Sequence, residues 1–124
     1  MLPPTDIDRW AGLSLWQHLD DLVAGSVMIV DRPRGSAHPK VAEYVYPLDY
    51  GYREGTNGGD GSGIDVWRGG AHRRGVTAVL CTFDPVKRNS ELKVVMDCTD
   101  DELGEIELFY RPQPQAVMVV RRPG

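Results

Sequence analysis

The sequence predicts a mainly β domain of the α+β class, a small barrel with short helices at its flanks. Three observations predict it. Short apolar and β-branched runs recur at 26–30, 64–67, 76–83, 92–96 and 116–120, giving five or six strands with the segments between them. The connections carry Gly, Pro, Asn and Asp, the residues that make turns. Helix-start signals occur at only two places, Ser14 with Gln17 and Thr99 with Glu102.

In chain order, residues 1–13 contain prolines and aspartates and read as irregular. Ser14 and Gln17 open a helix whose Leu15, Leu19, Leu22 and Val23 share one face, and Gly25 ends it. Trp10 and Trp16 are placed to dock it on the body, which makes it a packing helix, with a partner surface as the alternative. The first strand, 26–30, delivers Asp31 into a loop of turn residues and charges. The strand 64–67 leads to a loop with Arg73 and Arg74, and 76–83 delivers Asp84 into a turn before the strand 92–96. Thr99 and Glu102 cap a second short helix, which Gly104 weakens by up to about 1 kcal/mol relative to Ala. Prolines at 112 and 114 break the chain before a last strand.

The 124 residues fit a single domain, divided into an N-terminal helical extension (1–25), a barrel core (26–111) and a C-terminal strand (112–124). Lys and Arg number 14 against 18 Asp and Glu, a net charge of −4, which leaves no basic footprint for nucleic acid. Cys81 and Cys98 lack metal spacing and read as reduced thiols in apolar surroundings. No secretory pattern opens the chain, and no apolar run approaches the ~20 residues that span a bilayer. The expectation is a cytoplasmic protein with no membrane and no nucleic-acid partner. His38 and His72 lie in loops with no second ligand at a metal-binding spacing.

The chemistry concentrates in 46–66. Asp60 and Asp65 flank a loop of small residues at the start of a strand. Carboxylates so placed suit a hard cation that keeps some of its waters. Asp and Gly also cluster simply to make turns, and on spacing alone both readings stand.

Tyr46-Pro47-Leu48-Asp49-Tyr50-Gly51-Tyr52 followed by Asp60-Gly61-Ser62-Gly63-Ile64-Asp65 resembles the core of the soluble family I inorganic pyrophosphatases, which carry Y-P-x-N-Y-G-[YF] and then D-x-D-P-x-D. The resemblance covers roughly 27–93, with a weaker extension to Arg111. It is closer still to several small pyrophosphatase-like proteins, especially over Asp31-Arg32-Pro33-Arg34-Gly35-Ser36-Ala37-His38-Pro39-Lys40. It implies a five-stranded OB-like barrel and Mg²⁺-dependent hydrolysis of pyrophosphate or a related phosphorylated small molecule, by a homo-oligomer.

Residue by residue, the resemblance implies metal ligands at Asp60, Asp65, Asp84, Glu91 and Asp31, with Asp65 shared between ions. It implies phosphate contacts from Lys40, Tyr50, Lys93 and the Tyr110-Arg111 pair. Asp65, Ser62 and Tyr50 stand at the catalytic centre. Ser62 replaces the family's usual general-base aspartate, and a hydroxyl is no base near pH 7, so catalysis is weak or a carboxylate such as Glu54 or Asp49 stands in. The family's hairpin with a phosphate-binding arginine is missing or shortened between Lys40 and Tyr46. Arg34, Arg53, Arg68, Arg73 and Arg74 are all candidates for that arginine. Two further readings stay open: the same fold with a site rebuilt for another phosphorylated compound, and a non-catalytic binding barrel.

Overall fold

The computed structural model describes residues 4–59 and 61–124. Three helices, α1 (Pro4–Trp10), α2 (Leu15–Ala24) and α3 (Asp100–Tyr110), accompany six strands: β1 (Met28–Arg32), β2 (Asp49–Arg53), β3 (Ile64–Arg68), β4 (Val76–Asp84), β5 (Asn89–Met96) and β6 (Ala116–Arg121). They form one sheet in the order β1-β2-β3-β5-β4-β6, with only β3 and β5 parallel. The fold is mainly β with short helices, consistent with a small OB-like α+β domain. The sheet has six strands rather than five and does not close, since β1 and β6 are its two ends. The reason is that β6 adds outside β4 instead of returning to β1.

Alternation along the central strands feeds two cores. Trp67, Ala78, Leu80 and Val95 pack with Leu103, Ile106 and Tyr110 of α3 on one face. Val66, Val79 and Val94 pack with Leu19 of α2 on the other, joined by Trp16, Leu22 and Val23. Strands covered on both faces need apolar residues at successive positions, which is why 78–80 and 94–95 read as unbroken apolar runs.

Both capping boxes form. The Gln17 amide donates to Ser14 Oγ (3.2 Å) and the Ser14 amide to Gln17 Oε1 (2.9 Å); Thr99 and Glu102 repeat the exchange at 3.2 and 2.9 Å. Residues 1–13, expected to be irregular, contain α1. Pro4 opens that helix, at the one position where its missing N–H and fixed φ do no harm.

Arg53 holds the end of α2 on the sheet, donating to Val23 O (2.7 Å), to Ser26 Oγ (2.8 Å) and to Ser26 O. Arg122 holds its polar side by a two-pronged pair with Asp20 (2.7 and 2.8 Å). The connection from β1 to β2 keeps a reduced hairpin. The Gly35 amide donates to Tyr46 O, the Tyr46 amide to Ser36 O and the His38 amide to Tyr44 O, at 2.7–2.9 Å, around the Ala37–Val45 bridge.

Candidate phosphate site

Strand β2 is unusual in having Gly51 at its centre. A Cβ there would stand 1.8 Å from Ile29 O, so only glycine lets β1 lie this close. Gly63 has a similar task, since a Cβ would come within 2.7 Å of the Tyr52 ring. These two glycines bring β1, β2 and the approach to β3 together around a hollow of about 550 Å³. Its wall includes Asp31, Arg32, His38, Tyr52, Ser62 and Asp65, and Tyr46 and Tyr50 complete it.

A smaller hollow of about 280 Å³ adjoins it through shared Tyr50 and His38, and is lined by Asp84, Glu91 and Lys93. Between the two sits the Lys93 ammonium. It donates to Asp65 Oδ2 (2.7 Å), Tyr50 Oη (2.8 Å) and Glu91 Oε2 (3.2 Å), which uses all three of its protons. Its side chain is 7% exposed. Burial works against the charge, but the Asp65 carboxylate, hydrogen-bonded at 2.7 Å, outweighs it and raises the Lys93 pKa. Burial likewise raises Tyr50, against the pull of Lys93.

The floor is aromatic. Tyr46, Tyr50, Trp67 and Phe109 meet with ring centroids 4.8–5.7 Å apart. Tyr110 Oη accepts from Trp67 Nε1 (3.2 Å), and burial pushes its pKa up to about 12.

The residues expected at the site therefore divide. Asp31, Tyr50, Ser62 and Asp65 line the larger hollow; Asp84, Glu91, Lys93 and Tyr50 line the smaller. Asp84 also organises its own turn, its Oδ1 accepting from the Val86 and Lys87 amides (2.8 and 3.1 Å). Lys40 is exposed on the loop, its amide donating to His38 Nδ1 (3.1 Å). Tyr110 is buried beneath the aromatic floor, and with the exposed Arg111 it borders a separate surface hollow that Glu107 and Gln115 also line. Asp60 lies outside the described residues. Among the described residues no group of three or more Asp, Glu, His or Cys is close enough to hold a metal ion.

The two carboxylates considered as substitutes for the absent base sit elsewhere. Asp49 accepts from the Arg34 amide and from Arg68 Nη2 (both 3.0 Å) at a different hollow, and Glu54 is exposed after β2. Two of the candidate arginines are thereby engaged structurally, Arg53 with α2 and Arg68 with Asp49. Sequence reasoning missed Arg32 and His38, which line the larger hollow. Their signal was the 31–40 stretch, already singled out for its likeness to the small pyrophosphatase-like proteins. Burial and the charges of Arg32 and Lys40 lower the His38 pKa, favouring neutral imidazole.

No model of a known protein family and no curated protein matches the chain. Among solved structures, the fold is similar to the crystal structure of an inorganic pyrophosphatase from Neisseria gonorrhoeae. The TM-score is 0.63 at 16% identity, over 83% of this chain and 86% of that one. A likeness at this identity is one of fold.

Proposed function

We propose that the chain is a phosphohydrolase acting on inorganic pyrophosphate with Mg²⁺. The observation that carries this reading is the Lys93 ammonium, held by Asp65, Glu91 and Tyr50 between two polar hollows. The likeness of fold to an inorganic pyrophosphatase supports it.

The donor set suits Mg²⁺ bound through one or two carboxylates and completed by water, rather than an all-protein cage. Asp65 and Asp31 would hold it, joined by Asp60, with Asp84 and Glu91 serving the adjoining hollow. There it would neutralise phosphate charge and make a bound water more acidic. Lys93 fixes the orientation of Asp65 and Glu91 and offsets their charge. Tyr50 seats Lys93, and Lys40 forms the outlying phosphate contact. The Ser62 hydroxyl orients the attacking water, whose proton passes to a carboxylate of the hollow as the P–O–P bridge breaks. The protein works as one domain, in the cytoplasm and as a homo-oligomer.

Phosphate release from pyrophosphate, measured with Mg²⁺ and again with excess chelator, tests this. Release that needs the metal supports the reading; none in either condition rejects it. A second reading has its own support. About 550 Å³ lined by three tyrosines and a histidine is more room than pyrophosphate fills. The same assay on phosphorylated compounds with a larger organic part distinguishes the two.

A further inference from the structure

We infer that Arg32 is a phosphate-binding residue of the larger hollow. The inference rests on the reading of that hollow as a phosphate site.

The first observation is a break in the β1–β2 ladder. Val30 pairs with Gly51, but the next partner of Tyr50 is Arg32, so Asp31 is an extra residue on the β1 side. Neighbouring residues of a regular strand point to opposite faces, and a bulge re-aims them. Here Asp31 and Arg32 both line the hollow.

The second is the state of three other cations. Lys93 has its three protons committed, Arg53 clasps α2, and Arg68 is paired to Asp49. Arg32 is held lightly. It donates to its neighbour Asp31 O (3.1 Å) and stands 3.8 Å from the Asp31 carboxylate. A guanidinium has five N–H donors in a planar fork. Its contacts with Asp31 use part of that fork and leave donors for two phosphoryl oxygens. Asp31 and Asp65 make the same hollow anionic, so an anion entering it needs a cation on its wall.

The test is binding of imidodiphosphate, a non-hydrolysable pyrophosphate mimic, by calorimetry with Mg²⁺ present. Hydrogen bonds to a charged group are worth about 1.5–3 kcal/mol. Arg32→Gln is therefore expected to weaken binding roughly 10- to 100-fold. Arg32→Lys, which keeps the charge and loses the fork, should fall between. Arg121→Gln removes the same charge from an exposed pair with Asp100 and should bind as the parent does. In turnover, Arg32→Gln should raise KM more than it lowers kcat, with the thermal midpoint unchanged. Parent-like binding by a folded Arg32→Gln overturns the inference and leaves the phosphate site standing. A parent that binds no imidodiphosphate overturns both.

Discussion

Lys93 Nζ and Asp65 Oδ2 lie 2.7 Å apart, on parallel strands β5 and β3, with the lysine side chain 7% exposed and the aspartate 26%. Removing one partner of such a buried pair strands the other. Lys93→Met should destabilise the fold by about 3–5 kcal/mol, the range for breaking buried ion pairs. Urea unfolding checks this, and a loss below about 1 kcal/mol would show that the pair contributes little. Asp65→Asn, which keeps a polar acceptor beside the ammonium, should cost less than Lys93→Met.

Ser62 shares the larger hollow with Asp65 at the position where the resembling family carries its general base. Ser62→Asp should therefore increase Mg²⁺-dependent phosphate release. General-base assistance is worth about 10²–10⁴-fold, and an imperfectly placed carboxylate recovers only part of that. An unchanged rate, in a variant shown to be folded and to bind Mg²⁺, would refute the weakened-enzyme reading and favour a different substrate.

Asp49 carries a pH signature. The Arg34 amide, with Arg68 behind it, lowers its pKa below the ordinary value despite partial burial. A carboxylate depressed on folding adds stability above its unfolded pKa near 3.9, and that stability is lost as the pH falls through the folded value. The stability gap between parent and Asp49→Asn should be constant at neutral pH and shrink in acid below about pH 4. Chemical denaturation from pH 7 to 3 measures it; a gap that widens in acid contradicts the assignment.

The two thiols should separate by reactivity. Burial, helped by Glu102, pushes Cys98 up to about 12, while Cys81 is half-buried on β4. At pH 8, alkylation of the folded protein should modify Cys81 and spare Cys98, as read by peptide mass spectrometry. Faster labelling of Cys98 would show that the α3 face opens readily.

The parts legible in the sequence are those whose cause is local. Ser14 with Gln17 and Thr99 with Glu102 announced α2 and α3 because a capping box closes within one turn. The apolar runs of β4 and β5 announced buried strands for the same reason. Strand β2 stands out in the sequence as a motif rather than a strand, since Asp49-Tyr50-Gly51-Tyr52-Arg53 lacks a β-branched run. Its glycine is explained only by the backbone of Ile29 crossing it. The meeting of Lys93 with Asp65 needed a parallel pairing between strands far apart in sequence, which no local pattern encodes. The orientation of Arg32 depended on a bulge, a register property of two strands together.

Strand β1 is an end of the sheet, yet it carries Asp31 and Arg32 and is hydrogen-bonded in the ladder to β2 alone. A strand paired on one side only opens more readily than strands held between two partners. Amide hydrogen exchange at 28–32 should accordingly run faster than in β4 or β5. A thermal melt and a ligand titration would then report different events, the first the collapse of the cores and the second the seating of one peripheral ribbon. Affinity for a ligand held by Asp31 and Arg32 would then scale with the fraction of time that ribbon is in place.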